Sequence, residues 1–308
     1  MIKANQQNTV LVHLALFLVS LIYGATFTIA KEVMPFYIHP FGLIVMRVGG
    51  ATLLLWLAHS FYSKETISKK DHYRLMLCSV FGVAANMLLF FKGLSITTPI
   101  NAAVIMVTTP LFVAILAFIF LKEKVTFFKI FGLVLGLGSA FVLVFNPAIK
   151  LNSATIFGDI YVIMNAIIYS CYLILAKPLL TKYKALNVIK WTFLYGFILV
   201  LPFGFSDLLK VEWTNIPQKI WLSILFLIVM ATFLTYLLNG WALRYVNSSV
   251  VGTYIYLQPV LATLIAVTLG KDLLTVEKTV YTLFIFLGVY LVSVPDNLFL
   301  KVYRRSQA

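Results

Sequence analysis

Long apolar runs succeed one another along the chain, parted by short breaks of charged residues, Pro, Asn or Gly. A hydrocarbon layer about 30 Å thick is crossed by about 20 apolar residues in a helix, which also satisfies its own backbone polar groups. The pattern predicts an all-α membrane protein of ten transmembrane helices near 10–30, 38–60, 73–92, 99–121, 126–146, 158–177, 187–206, 218–241, 248–270 and 276–295, here spans 1 to 10. The longest polar stretches, 62–74, 146–158 and 206–219, leave no room for an appended soluble domain, and 146–158 reads as a linker between halves. The first run is too long for a signal-peptide core and lacks a cleavage site before Lys31-Glu32, so it is expected to be kept as a span.

The pattern repeats internally. With Leu94 set on Leu243, an offset of 149, residues 94–126 align with 243–275 without a gap: Pro110 meets Pro259, Lys122 meets Lys271, Glu123 meets Asp272 and Thr126 meets Thr275. At an offset of 146, Tyr23 meets Tyr169 and Ala30-Lys31 meets Ala176-Lys177. The expected units are 1–147 and 148–308, each of five spans. Five is odd, so the second unit must begin on the opposite side of the bilayer, and the repeats are inverted. Inverted repeats are a recurring design of secondary transporters, with a site near the midplane exposed to each side in turn.

Composition agrees: 62% of residues are hydrophobic and 11% charged, against about 25% charged in soluble domains. A net charge of +14 would suggest nucleic acid in a soluble chain, but Lys and Arg here fill the breaks between apolar runs. With the N-terminus inside, sixteen fall on the cytoplasmic side and seven outside, and Arg47 lies within a span. The bias places both termini in the cytoplasm of a multi-pass protein. Cys78 and Cys171 lie in apolar runs without disulfide or metal-ligand spacing, and His13, His39, His59 and His72 lie near span ends. No cofactor, no metal and no nucleic-acid partner is expected.

Polar stripes mark which helices look inward, because such a stripe cannot be turned to lipid. Span 1 carries Ser20, Tyr23, Phe27 and Lys31; span 3 Ser79, Gly82, Asn86 and Gly93; span 6 Tyr161, Asn165, Tyr169 and Tyr172. Span 8 carries Thr232, Thr235, Tyr236 and Asn239, span 9 Tyr254 and Gln258, and Thr109 of span 4 aligns with Gln258, each directly before a proline. The predicted substrate-binding residues are Tyr23, Asn86, Asn101, Met106, Thr109, Asn165, Tyr169, Tyr236, Asn239, Tyr254 and Gln258. Such side chains hydrogen-bond a polar metabolite or stack on its flat parts, which suits a neutral or zwitterionic solute. Single Asn, Thr or Ser residues in spans also serve as interhelical glue.

Pro110 and Pro259 are expected to kink their helices statically. Arg47 and Lys92 are candidates for a charge role, Arg47 with its cost reduced by snorkelling towards the surface and paired within the protein. Asp159 after Gly158, Thr98-Pro99 and Asn247-Ser248 read as helix caps. Gly132, Gly136 and Ala140 recur every four residues in span 5 and allow close packing. Spans 5 and 10 have weak polar faces and are expected at the periphery.

These residues resemble the EamA-type members of the drug/metabolite transporter superfamily, bacterial ten-helix exporters of amino acids and related metabolites. The resemblance rests on Tyr23-Gly24, Lys31, Arg47 and 101–123 in the first half, and on Gly158-Asp159, Tyr169, Ala176-Lys177 and 259–272 in the second. Two departures are visible: no arginine matches Arg47 in the second half, and its repeat ends in Asp272 where the first ends in Glu123. The resemblance implies a central cavity formed by both halves and residence in a bacterial cytoplasmic (inner) membrane.

The expected function is export of small metabolites such as amino acids or related neutral or zwitterionic solutes by alternating access. The ten acids lie at or near span ends, which points to facilitated diffusion or exchange. A nucleotide-sugar or organic-phosphate exchanger would want clustered basic residues in the cavity, and only Arg47, Lys92 and Lys31 are on hand. A membrane-embedded transferase would need paired carboxylates, a metal site or an activated nucleophile, none of which the sequence offers. One chain holds both halves, so a monomer suffices, with the bilayer and a small-molecule substrate as its partners.

Overall fold

The computed structural model describes residues 6–62, 65–121, 127–145, 154–245, 254–255 and 257–293, and among them the regular structure is helical throughout. Helix α1 runs Gln6–Val33 and α2 Pro40–Tyr62; α3, Lys69–Ser79, continues through a π-helical turn, Val80–Ala84, into α4, Ala85–Ile96. Then follow α5 Pro99–Met106, α6 Thr109–Leu121, α7 Phe127–Phe145, α8 Ala154–Lys182 and α9 Ala185–Leu209. Helix α10, Gln218–Ile228, passes through a second π-helical turn, Val229–Leu234, into α11, Thr235–Tyr245; α12 Leu257–Thr268 and α13 Val276–Ser293 complete the set.

Among the described residues, seven stretches are long and apolar enough to cross a membrane: 10–33, 40–61, 69–96, 99–120, 155–182, 185–209 and 218–242. Shorter apolar helices lie at 130–139, 257–268 and 279–288. Several helices outrun their predicted spans, because Lys69, Asp71, Lys177 and Lys182 continue a helix into water once the apolar stretch has been passed. The outward faces are apolar, with Leu14, Phe61, Phe131, Leu222 and Leu283 among the exposed side chains. Bare hydrocarbon on that scale matches lipid, and the chain is a multi-pass membrane protein.

The predicted span 4 is two helices. Thr98 accepts a hydrogen bond from the Asn101 amide and Pro99 takes the first helical position, so the start is capped as expected. The helix then breaks at Val107-Thr108, where Thr108 Oγ1 turns back to the Ile105 carbonyl, and Pro110 sits in the first turn of α6, where its missing N–H costs little. Pro259 is the third residue of α12. The Asn247-Ser248 cap and the Lys122, Glu123 and Thr126 ending of the first repeat lie outside the described residues.

The packing has a paired character. α2 lies along α9, and α7 along α13. α1 packs on α12 and on the helix containing α10 and α11, while α8 packs on α5 and α6 and on the helix containing α3 and α4. Glycine permits the α7–α13 contact: a Cβ on Gly288 would stand 2.6 Å from both the Gly132 carbonyl oxygen and the Gly136 Cα.

Candidate functional site

The two π-turns are the local feature that orders the interior. Their first residues, Val80 and Val229, are 149 apart, the offset that sets Leu94 on Leu243. A π-turn widens the helix and frees carbonyls from the usual i to i−4 ladder. At the third position of each turn the carbonyl accepts a side chain from a distant helix. The Tyr236 hydroxyl of α11 donates to Gly82 O at 3.2 Å, and Arg47 Nη2 of α2 donates to Ala231 O at 3.3 Å. The second turn is further fastened by Thr232, whose hydroxyl donates to Leu227 O at 2.6 Å and accepts from Arg47 Nε at 3.0 Å. Thr235 donates to Ala231 O at 3.0 Å. Gly82 has no room for a side chain, because the Tyr172 ring fills the place a Cβ would take.

Around these turns stand four tyrosines. Tyr169 and Tyr172 stack with ring centroids 5.8 Å apart, and Tyr236 meets the face of Phe193 edge-on at 4.8 Å. Tyr23 interacts with the side chains of Thr235 and Asn239 and lies within electrostatic reach of Arg47. Tyr23, Tyr169 and Tyr236 are each half-buried. Asn165 Nδ2 donates to Asn86 O at 2.7 Å, joining α8 to α4, and Ser170 Oγ donates to Thr109 O at 3.1 Å, joining α8 to α6.

Arg47 is 3% exposed. It does not snorkel as expected: its guanidinium lies over the Phe91 ring, 4.4 Å from the centroid, and its nearest polar partners are the second π-turn's hydroxyl and carbonyl. A planar, weakly hydrated cation can be sheltered by an aromatic face and neutral acceptors where an ammonium would be left short.

One end of the bundle is tied by a polar cluster around Lys31. Lys31 Nζ donates to the carbonyls of Leu94, at 3.1 Å, and Thr97, and the Thr97 hydroxyl donates to Asp159. Asp159 is therefore not a cap. α8 begins at Ala154, and Asp159 is a wholly buried residue of its second turn, reached because Gly158 lets α8 approach Gly93 and Thr97 closely. Asp272 accepts from the Ile100 amide at 3.0 Å, and Glu32 pairs with Lys271 at 3.1 Å and Lys219 at 3.2 Å. Gly270, with φ +63°, turns the chain after α12 so that Lys271 N closes onto Ala266 O at 2.8 Å, which delivers Lys271 and Asp272 to this cluster.

The structure thus brings Tyr23, Arg47, Tyr169, Tyr236 and Asn239 together, with Asn86 and Asn165 paired beside them. Asn101 is buried in α5, and Met106 and Gln258 are half-buried. Tyr254 turns elsewhere, its hydroxyl 2.8 Å from His13 Nδ1 and its carbonyl accepting from Ser20. Lys92 lines a hollow of about 270 Å³ with His39, Asp207 and Lys210, and a second hollow of about 300 Å³ is lined by His59, Glu65, His72, Lys190 and Trp191. Neither hollow includes Arg47 or the four tyrosines. Phe91, Thr232, Tyr172 and the carbonyls of Gly82 and Ala231 complete the central arrangement; of these, the stripe positions of Gly82, Thr232 and Tyr172 gave a signal, and Phe91 and Ala231 did not. Among the described residues no group of three or more His, Cys, Asp or Glu is placed to hold a metal ion.

The sequence profile of the EamA-like transporter family matches residues 10–145 and again 156–294. The uncharacterized transporter YyaM of Bacillus subtilis (strain 168) is 25% identical over 278 residues, covering 89% of this chain and 90% of its own. The uncharacterized transporter YoaV of the same organism is 23% identical, covering 91% and 96%. An uncharacterized transporter of Archaeoglobus fulgidus is 26% identical, covering 88% and 94%. A solved crystal structure superposes with a TM-score of 0.60 at 17% identity, covering 91% of this chain and 95% of that one, a likeness of fold alone.

Proposed function

The chain belongs to the EamA-like transporter family, and we propose that it is a secondary transporter that exports small neutral or zwitterionic metabolites, such as amino acids, by alternating access. The reading takes the ten apolar segments as ten spans, in inverted five-helix halves at 1–147 and 148–308, with both termini in the cytoplasm and the Lys31 end facing outward. The observation that carries it is the pair of π-turns. They occur at one offset, and Tyr236 reaches Gly82 O and Arg47 reaches Ala231 O from the opposite half, beside half-buried tyrosines. Halves that clasp each other through a few polar contacts around a shared site suit a rocking motion better than a rigid core would. The packing of α1 on α12 and of α8 on α5 and α6 supports the same symmetry.

Asp159, near the start of α8 at the Lys31 end, is a buried carboxylate. The Thr97 hydroxyl donates to it, and exchange or facilitated diffusion is the proposed mode. The test is counterflow in liposomes holding the purified protein and preloaded with single amino acids. Saturable uptake of labelled solute that overshoots equilibrium is expected. Flux that never saturates and shows no counterflow would make the protein a channel, and uptake proportional to an imposed pH gradient would replace exchange with proton coupling.

A further inference from the structure

Arg47 is placed in the interior with more hydrogen-bonding capacity than its surroundings use. Nε donates to Thr232 and Nη2 to Ala231 O, but Nη1, buried, has no partner, and no carboxylate stands within ion-pair distance among the described residues. The groups closest in charge terms are the neutral hydroxyls of Tyr236 and Tyr23, and the Phe91 ring covers one face. A buried cation with only neutral partners is costly, and a natural protein keeps one where something else completes it. A guanidinium fork matches a planar oxyanion, taken side by side through two N–H groups. Tyr23 and Tyr236 stand beside Arg47, so an oxyanion reaching it would also meet two phenolic donors.

Resting on the transporter reading, we propose that Arg47 is the anchor for a carboxylate on the transported solute, with Tyr23 and Tyr236 as flanking donors. The transported class is then monocarboxylic acids, zwitterions included, and not amines or amides of the same shape. A phosphate ester is a poorer match, because its second charge asks for a second cation. Lys31 directs its ammonium to the carbonyls of Leu94 and Thr97, and Lys92 lines the separate end hollow. The anchor also gives the asymmetry between the halves a purpose: one arginine binds one carboxylate, whichever side the site faces.

The test uses the full chain in detergent and the matched probes leucine and leucinamide, and phenylalanine, 3-phenylpropionate and phenethylamine. Binding is read as a shift of the thermal unfolding midpoint over a concentration series, and transport as counterflow in liposomes. The carboxylates are expected to bind and the amide and amine to bind about tenfold more weakly or not at all, the loss of a charge-assisted hydrogen bond. Arg47→Lys should weaken carboxylate binding about tenfold while keeping the preference, and Arg47→Gln should abolish the preference. Equal binding of acid and amide by the unsubstituted protein, no carboxylate binding at all, or a preference that survives Arg47→Gln would each overturn the anchor. Counterflow of acids and amides alike would leave the transporter reading standing without it, whereas Arg47-dependent carboxylate binding with no counterflow would leave the anchor standing and remove transport.

Discussion

The two π-turns occupy matching places, yet they are fastened differently. Gly82 O receives a phenol, and a ring fills the space beside the glycine; Ala231 O receives a guanidinium and a threonine hydroxyl, and Ala231 keeps a small side chain. The first turn is held by shape and one neutral hydrogen bond. The second is held by a charge that has donors to spare. The backbone device thus recurs at the same offset while the side chains around it differ, and the difference puts Arg47 at the second turn alone.

Arg47→Met is expected to have the largest effect, a drop in counterflow of more than about tenfold, while the thermal midpoint stays level or rises, since exchanging a buried charge for a well-packed apolar side chain is often neutral or stabilising. A collapsed midpoint would instead make Arg47 a structural brace. Gly82→Ala drives a methyl into the Tyr172 ring and should cost about 1–3 kcal/mol, read as a lower midpoint; Ala231→Gly should cost only about 0.5–1 kcal/mol. Equal costs would erase the difference between the turns. Tyr236→Phe keeps the edge contact with Phe193 and loses one neutral hydrogen bond, about 0.5–1.5 kcal/mol, with transport reduced only a few-fold. Smallest of all, Lys182→Ala breaks an exposed pair with Asp71 and should leave the thermal midpoint nearly unchanged, with any small drop suppressed by salt.

Much of this was legible because a bilayer imposes a long apolar period, and because prolines and caps punctuate it. The capped start at Thr98-Pro99 and the close packing at Gly132 and Gly136 follow from local chemistry visible in the sequence, whereas Pro110, expected to kink one helix, stands in the first turn of a second. The π-turns were not legible, since a change of helical register leaves no mark on composition: Val80-Phe81-Gly82 reads as ordinary helix. Asp159 was misread because a glycine before an acid looks like a helix start, whereas Gly158 serves close packing against Gly93 and Thr97. The candidate site was legible as stripes but not as contacts. Periodicity put Tyr23, Tyr169 and Tyr236 on inward faces, and only the fold could bring Arg47 to Ala231 or send Tyr254 to His13.

The central claim, one interior site shared by two halves and open to each side in turn, is tested most directly at Tyr169. In protein with Cys78 and Cys171 replaced by Ser, Tyr169→Cys is labelled in oriented vesicles by a membrane-impermeant maleimide added first outside and then inside. The claim predicts labelling from both sides, slowed in each case by the carboxylate that shows counterflow. A cysteine that stays unreactive from both sides, or reacts from one side alone and is untouched by solute, would contradict it.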